Sequence, residues 1–393
     1  MNTQNTPIHI KLWHREFWLM AIASLLLTMS VYMLIPVLPL WLMQTESFSN
    51  LEAGLSVGVF GLGLYLFGAH CSWLVQHYRR NVVCLWAVTA VVFCTLLLWY
   101  VNGQRFEFAE LWVILLQRFA LGAAFGLAQM VLSSTLIIDT CESFNRTEAN
   151  HSATWFSRLA LSLGPLAGML AYGLDAVQGF NYVALGAAGC ALVALLLIKC
   201  VDFPFRTPEE NVHVLSLDRF FLPHGTVLFF NLLLFSLVVG LILSRPVAIE
   251  FYALMMGGFL LALLAQRFVF RDAELKSEIV SGLILMLAAQ FILLGYPESP
   301  VAPVLIGLSV GIVGSRFLLF FIKLSRHCKR GTAQSTYFLG WESGLAFGLA
   351  LGYAVFYGQQ NTLLIYVCMG VTTVSLLVYH LFTHAWFIRN KNR

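Results

Sequence analysis

The stretch FWLMAIASLLLTMSVYMLIPVLPLWLM, residues 17–43, contains no charged residue. A transmembrane helix needs about 20 consecutive apolar residues, so this stretch is long enough to cross a lipid bilayer. It follows a short polar and basic start, it is too long for the core of a signal peptide, and no clear cleavage site follows it. The stretch therefore predicts a first membrane span that is retained in the protein.

The rest of the chain repeats this pattern. Of 393 residues, 59% are hydrophobic and 11% are charged, a balance that a soluble chain of this size cannot bury. The apolar runs are continuous and do not alternate, which indicates helices and argues against a barrel. Charge clusters, glycine, proline and asparagine delimit twelve segments, near residues 17–43, 51–76, 82–101, 110–138, 152–174, 179–199, 224–244, 248–267, 278–297, 301–323, 331–357 and 362–387. We expect an all-α integral membrane protein with twelve transmembrane helices and no large soluble domain.

The longest polar interruption, VDFPFRTPEENVHVLSLD at 201–218, divides the chain into two halves of six segments. Each half has a basic second loop, at 77–81 and 271–276, and a glycine-rich fourth segment. We expect an N-terminal six-helix bundle (1–200), a cytoplasmic linker (201–218) and a pseudo-symmetric C-terminal six-helix bundle (219–393). In transporters built from such repeats, the substrate binds midway between halves that rock against each other.

Basic residues are distributed unevenly between alternate loops. With both termini in the cytoplasm, only Arg105 and Arg245 lie outside. The cytoplasmic set has seventeen members: Lys11, Arg15, Arg79, Arg80, Arg146, Lys199, Arg206, Arg219, Arg267, Arg271, Lys276, Arg326, Lys329, Arg330, Arg389, Lys391 and Arg393. This bias follows the positive-inside rule and predicts a multi-pass protein of the cytoplasmic membrane with both termini inside.

Two ionisable residues lie near the middle of predicted spans, where a charge costs about 2.5–3.5 kcal/mol on insertion scales. Arg118 is about 9 residues into the fourth span and Glu342 about 11 into the eleventh, which places both roughly 13–17 Å deep at 1.5 Å per residue. If they face one cavity, desolvation favours neutral Glu342 and a nearby arginine favours its charged form, as a proton-coupling site requires. The alternative is structural: Arg118 binds backbone carbonyls and Glu342 holds helices together.

Other charged residues allow further assignments. Arg316, past the middle of the tenth span, is a candidate for substrate contact or for structural pairing, and the sequence leaves both open. Arg158, about two turns from the inner end of the fifth span, is expected to pair with Asp139. Arg79 and Arg80 are the other candidate partners of Asp139 at a cytoplasmic gate.

Polar and aromatic side chains at similar depth form a candidate lining for a large, mainly apolar cavity that suits an amphipathic or aromatic cargo. They are Tyr32, Gln129, Asn231, Tyr252, Gln290, Tyr337 and Trp341. Pro36 and Pro39 each remove a backbone donor, and Gly164 and Pro165 interrupt the fifth span, so these residues are candidate bending points. Each of these side chains also fits a packed core.

Several function classes lack their motifs here. The chain has no phosphate-binding loop, no GxSxG, no HExxH and no cluster of metal ligands, which argues against an ATP-driven pump and the common membrane hydrolases. Its basic residues punctuate apolar runs and form no face for nucleic acid. We expect no enzyme activity, no cofactor and no metal, and a transport process driven by an ion gradient.

Local motifs resemble those of the major facilitator superfamily, in particular its twelve-span drug/proton antiporter branch. The motifs are Pro36-Val37-Leu38-Pro39 in the first span, Arg118 within LLQRFALGAAFG (115–126), Gly164-Pro165-x-x-Gly168 in the fifth span, and Arg330-Gly331-Thr332-Ala333 leading into TYFLGWESGLAFG (336–348). The loop SWLVQHYRRN (72–81) departs from the family pattern, because Gln76 stands where an acidic residue is usual. The resemblance implies alternating access by a monomer that binds a small-molecule substrate, protons and membrane lipids.

The leading hypothesis is proton-coupled export of a small amphipathic or aromatic compound. In it Glu342 accepts the proton, Arg118 modulates Glu342 or contacts an anion, and Arg316 is a second substrate contact. An alternative is a proton-coupled importer of an anionic nutrient or metabolite held by Arg118 and Arg316. A third hypothesis is a non-transporting membrane sensor or lipid-handling protein.

Overall fold

The computed structural model describes residues 11–103, 111–142, 144–175, 177–203, 213–270, 274–326, 329–358 and 361–391. All regular secondary structure within these ranges is helical. The helical segments in them form twelve units: α1 Arg15–Gln44, α2 Asn50–Gly63 and Cys71–His77, α3 Arg80–Gly103, α4 Leu111–Asp139, α5 Arg146–Tyr172, α6 Gly179–Lys199, α7 Pro223–Leu243, α8 Ile249–Phe268, α9 Leu275–Gly295, α10 Val301–Leu324, α11 Arg330–Phe356 and α12 Asn361–Asn390. Four arginines of the orientation argument lie outside the described residues: Arg105, Arg206, Arg271 and Arg393.

Within the described residues, ten of these units are long and apolar enough to cross a membrane. The prediction of an all-α membrane protein is therefore confirmed. The other two units are α2, which is interrupted between Gly63 and Cys71, and α5, which is long enough but less apolar. In α5 the guanidinium of Arg158 lies within the most apolar part of the helix. The two exceptions thus have local causes: a break in one helix and buried polar groups in the other.

The helices pack in corresponding pairs. In the first six, α1 packs on α5 and α6, α2 on α4, and α3 on α4 and α6. In the last six, α7 packs on α11 and α12, α8 on α10, and α9 on α10 and α12. Adding six to each helix number converts one set of pairs into the other. This pseudo-symmetry agrees with the internal repeat predicted from the loops.

Burial separates central helices from peripheral ones. Of the most apolar window of each helix, 89% is buried in α4 and 78% in α10, compared with 39% in α3 and 33% in α12. The outer helices expose large apolar side chains, such as Trp86 and Phe93 of α3. Because these outer helices are apolar but only partly buried within the protein, their exposed bands are suited to contact lipid.

The packing of α1 on α5 determines where Tyr32 lies. α1 is interrupted at Met33, one turn before Pro36, whose ring nitrogen cannot donate the helical bond to the carbonyl of Tyr32. Gly168 of α5 faces this interruption so closely that a Cβ there would lie 2.3 Å from the Met33 carbonyl oxygen. Gly164 faces Tyr32 in the same way. Because Gly164 and Gly168 of α5 have no side chains, the interrupted backbone of α1 can lie directly against this part of α5.

Candidate functional site

A buried cluster joins the two halves of the molecule at Glu342 of α11. The Tyr32 hydroxyl of α1 donates a hydrogen bond to Glu342 Oε1 at 2.7 Å, and Nη1 of Arg158, on α5, lies 3.2 Å from the same oxygen. The Arg158 and Glu342 side chains are 6% and 2% exposed. One carboxylate of the second half is therefore bound by two side chains of the first, far from bulk solvent.

The partner of Arg158 differs from the sequence prediction. Asp139, the expected partner, is paired with Arg80, and Arg158 is paired with Glu342. The reason is the helix start: α5 begins at Arg146, about six residues before the predicted start at 152, because its first turns are polar and resemble a loop in composition. Arg158 is therefore about 18 Å along the helix at 1.5 Å per residue, close to the middle of the bundle.

Aromatic rings from α11 surround the guanidinium of Arg158. Its Cζ lies 4.3 Å from the ring centroid of Trp341 and 5.3 Å from that of Tyr337. Such cation–π contacts contribute about 2 kcal/mol or more when they are desolvated. Three neighbouring side chains of one helix, Tyr337, Trp341 and Glu342, thus hold one arginine of the opposite half.

Arg118 and Glu342 line one narrow cavity but do not pair. The cavity has a volume of about 20 Å³, space for about one water molecule. Its walls are mainly apolar, and we call it the apolar cavity; its lining is Val31, Tyr32, Leu34, Ile35, Leu38, Val57, Phe60, Arg118, Glu342, Leu345, Ala346 and Leu349. The Arg118 guanidinium lies 5.0 Å from the Phe60 ring centroid, and its Nε and Nη1 have no hydrogen-bond partner among the described residues.

A second cavity of about 20 Å³ lies on the other side of the ion pair, and its lining includes Arg158. We call it the polar cavity; its lining is Ser24, Gln129, Ser133, Ile137, Asn150, Ala153, Thr154, Ser157, Arg158, Gln334, Tyr337 and Phe338. Gln129 donates to Thr28 of α1, and Gln334 donates to Thr154 across the two halves. The Arg158–Glu342 pair therefore separates an apolar space from a polar one.

Contacts between the halves close the structure at both ends. We call the end where α1 begins and α12 ends the terminus side. At the opposite end, α2 and α11 pack so closely that a Cβ on Gly54 would lie 2.6 Å from the Ala350 carbonyl oxygen, and Asn50 donates to the carbonyl of Tyr357. At the terminus side, Arg330 donates to Thr147 at 2.9 Å. The apolar and polar cavities therefore lie between two closed ends.

Other predicted site residues lie elsewhere. Arg316 is paired with Glu278 of α9. Of the two alternatives that the sequence leaves open for Arg316, its contacts agree with structural pairing. Asn231 donates to the Ser375 carbonyl and to Thr383, between α7 and α12. Tyr252 is fully buried on α8, and no described residue accepts a hydrogen bond from its hydroxyl. None of the three lines the apolar or the polar cavity.

Sequence reasoning missed several residues of the site, above all Arg158, Phe60 and Gln334. For Arg158, the sequence does contain a signal for the earlier start of α5. Glu148 follows Asn145 within the first turn, where acidic residues are favoured. Among the described residues, no group of three or more histidine, cysteine, aspartate or glutamate side chains could hold a metal ion.

Comparisons with known proteins identify the family. Residues 20–272 match the sequence profile of the Major Facilitator Superfamily. Similar solved structures include a bacterial homologue of the iron transporter ferroportin in an outward-facing state (16% identity, 94% of this chain and 100% of that chain covered, TM-score 0.66) and the POT family transporter PepTSo (13%, 96% and 99%, 0.70). Another is the human organic anion transporter MFSD10 (14%, 93% and 98%, 0.64). A search of curated proteins gave no match.

The profile covers more than half of the chain, and the structural neighbours share its fold over nearly their whole length. At these identities the neighbours show the fold and do not identify a cargo. Transport of a small molecule across a membrane, without enzymatic chemistry, is the activity of this family. The chain is a multi-pass membrane transporter that belongs to the major facilitator superfamily.

Proposed function

We propose that this transporter exports a small amphipathic or aromatic compound in exchange for protons, by alternating access between its two halves. The observation that carries the proposal is the position of Glu342, which is bound to Arg158 and Tyr32 of the opposite half and also lines the apolar cavity. One carboxylate is thus available to a proton, to a cargo and to the contact between the halves.

Proton binding at Glu342 would change the stability of the closed arrangement. When Glu342 is charged, its contacts with Arg158 and Tyr32 hold α11 against α5 and α1. Protonation leaves the buried guanidinium of Arg158 without its counter-charge, and an uncompensated buried charge costs about 3–5 kcal/mol. Separation of the halves would hydrate that charge, so proton binding and opening are thermodynamically linked.

Competition between cargo and proton for the Glu342 carboxylate would couple export of the cargo to uptake of protons. A cargo with a cationic or hydrogen-bond-donating group could bind charged Glu342 from the apolar cavity, whereas a proton on Glu342 removes that acceptor. The apolar walls would hold the hydrophobic body of such a cargo. The present cavity of about 20 Å³ is too small for it, so binding requires the ends to open in turn.

The remaining roles complete this proposal. Rocking would bend α1 at Pro36 and Pro39 and would use the close α1–α5 contact at Gly164 and Pro165. The Arg80–Asp139 pair, with the neighbouring Arg79, would act at the terminus-side gate. We place this side in the cytoplasm and assign residues 1–200 and 219–393 to the moving bundles of a monomer in the cytoplasmic membrane, joined by 201–218.

The test uses purified protein in liposomes with an imposed pH gradient and a panel of fluorescent amphipathic dyes. Glu342→Gln should abolish gradient-driven uptake and retain counterflow exchange. Glu278→Gln is the matched control, because it also neutralises a buried carboxylate paired with an arginine, but within one half. Unchanged gradient-driven uptake by Glu342→Gln would remove the proposed role of that residue.

A second candidate is proton-coupled uptake of an anionic nutrient or metabolite. It is favoured by Arg118, which faces the apolar cavity and has no ion-pair partner among the described residues. Because Arg316 is bound to Glu278, Arg118 would be the residue that contacts the anionic cargo. The lumen of the liposomes distinguishes the two candidates: cargo entering with protons acidifies it, and cargo exchanging for protons makes it alkaline.

A further inference from the structure

We propose that the transporter has a second binding site, for a phosphate-type oxyanion, in a charged cavity at its terminus side. This cavity has a volume of about 270 Å³, far more than the ~10–15 Å³ that holds one water molecule, and is large enough for a small phosphate ester. We call it the vestibule; its lining is Arg80, Ser134, Thr135, Ile138, Asp139, Arg146, Asn150, Asp218, Arg219, Arg330, Gly331 and Thr332. The proposal does not depend on the cargo or direction of transport.

The vestibule carries more positive than negative charge. Four guanidinium groups and two carboxylates line it. Asp139 is paired with Arg80, and Asp218 lies 3.8 Å from Arg219. Glu16 and Glu142, which lie near Cys141, are not part of the lining.

Arg146 and Arg330 are the two lining arginines that have no ion-pair partner in the described part of the chain. Arg330 donates to the neutral Thr147 hydroxyl, and Arg146 Nε has no hydrogen-bond partner there. The lining thus carries two guanidinium charges in excess of its carboxylates. A ligand with about two negative charges would balance them.

A buried hydroxyl at the vestibule points to the same ligand. Ser134 is 7% exposed, and its Oγ has no hydrogen-bond partner among the described residues. A buried polar group without a partner costs about 1–3 kcal/mol. An oxyanion in the vestibule could accept a hydrogen bond from the Ser134 hydroxyl as well as from the arginines.

The segment that ends the inter-half connection shapes one wall of the vestibule. The backbone amides of Arg219 and Leu222 donate to the hydroxyls of Thr332 and Thr336 of α11. Ser216 donates its backbone amide to the carbonyl of Ala69 in the first half. Arg219 has a φ of 59°, a left-handed conformation that is uncommon outside glycine. These contacts fix Asp218 and Arg219 against both halves.

The chemistry of the lining selects the ligand class. A phosphate ester carries about 1.5–2 negative charges at pH 7 and three acceptor oxygens. Guanidinium groups bind such oxygens in pairs, which gives them both strength and orientation. A phosphoryl group between Arg146 of α5 and Arg330 of α11 would neutralise the excess charge of the vestibule.

Occupancy would have a consequence for the transport cycle. Arg146 belongs to the first half and Arg330 to the second, so both reach one anion only while the terminus side is closed. A ligand that binds only this state stabilises it in proportion to its concentration. We therefore expect phosphate on this side to slow opening.

The experiment measures the thermal unfolding midpoint of the full-length protein in neutral detergent, with inorganic phosphate or pyrophosphate titrated against chloride at constant ionic strength. The unmodified protein should show a saturable rise in midpoint. The double variant Arg146→Gln/Arg330→Gln should bind at least tenfold more weakly. Arg389→Gln is the matched control, because it removes an exposed arginine from the same side and should leave the titration unchanged.

Two further measurements separate loss of binding from loss of folding and identify the source of the anion. If the double variant unfolds at a lower temperature without ligand, Arg146→Lys/Arg330→Lys replaces it, since lysine keeps the charge but loses the paired donors. Nanodiscs with phosphatidylglycerol or neutral lipid then identify the source: arginine-dependent stabilisation by the anionic lipid alone assigns the site to a lipid headgroup. Equal responses of the arginine variants and Arg389→Gln, or no stabilisation by phosphate, pyrophosphate or the anionic lipid, would overturn the proposal.

Discussion

Two buried arginine–glutamate pairs of the described structure are similar in chemistry and different in position. Arg158–Glu342 joins α5 to α11 and so connects the halves, whereas Arg316–Glu278 joins α10 to α9 within the second half. Both carboxylates are almost completely buried, at 2% and 1% exposure. The carboxylates are therefore alike in charge and burial, and Arg316 is somewhat more exposed than Arg158, at 15% compared with 6%. The main difference between the pairs is the helices that they connect.

Because the pairs connect different helices, they respond differently when the two halves move apart. A pair within one half can remain intact while the halves rock, because both residues move together. A pair between the halves must be broken or rearranged whenever they separate. Of the two pairs, only Arg158–Glu342 could therefore couple protonation to the proposed movement of the halves.

The largest expected effect is on the closed arrangement when Arg158 is changed to glutamine. Removal of one partner from a buried ion pair costs about 3–5 kcal/mol, so Arg158→Gln and Arg316→Gln should both lower the free energy of unfolding. Only Arg158→Gln should also open the structure, since a loss of 1.4 kcal/mol already changes an equilibrium about tenfold. Chemical denaturation in detergent measures the first effect.

The opening is measured by maleimide labelling of Leu349→Cys, on the apolar cavity wall, in a cysteine-free background. Faster labelling with Arg158→Gln and unchanged labelling with Arg316→Gln are expected. The double variant Arg158→Gln/Glu342→Gln should recover part of the lost stability, because no unpaired charge remains. Equal labelling in both single variants would contradict the distinction between the pairs.

Tyr32→Phe has a smaller expected effect. It removes one hydrogen bond to a charged carboxylate, which is worth about 1.5–3 kcal/mol, and it leaves the ion pair in place. Tyr252→Phe is the matched control: Tyr252 is equally buried, but its hydroxyl has no partner among the described residues. Denaturation should show destabilisation for Tyr32→Phe and little or none for Tyr252→Phe; the reverse order would argue against the Tyr32–Glu342 contact.

The fold was predictable because a lipid bilayer leaves few choices. Long uncharged runs must form helices in a membrane, and the predicted first span at 17–43 corresponds to α1, Arg15–Gln44. Depth along a helix follows from counting residues, so it was predictable where the start of the helix was. The residue count places Arg118 and Glu342 at similar depth, and both line the apolar cavity.

The direction in which a side chain points from its helix, and the residue that it contacts, were harder to predict. The position of Arg158 depends on the start of α5, where the sequence RTEANH has the polar composition of a loop but forms the first turns of the helix. The sequence also gives no means of separating polar residues that line a cavity from those that satisfy one another in a packed interface. Asn231, which bonds to α12, and Gln129, which lines the polar cavity, have the same side-chain chemistry.

Arg118→Met should have the smallest effect on stability and, unlike the other arginine variants, should not strongly destabilise the protein. The change removes a buried charge without an ion-pair partner in the described structure, which recovers a desolvation penalty. It also removes the cation–π contact with Phe60, worth about 0.5–2 kcal/mol. These terms oppose each other, so denaturation should show a change within about 1 kcal/mol or a gain.

Transport should nevertheless fall in Arg118→Met if this guanidinium contacts a cargo or modulates Glu342 across the apolar cavity. Arg118→Lys provides the control, since it keeps the charge and loses the planar donor group. A loss of stability as large as that of Arg158→Gln would mean that Arg118 is a structural residue. The contrast with Arg158 would then disappear, because both arginines would hold the closed arrangement together and neither would be free for a cargo.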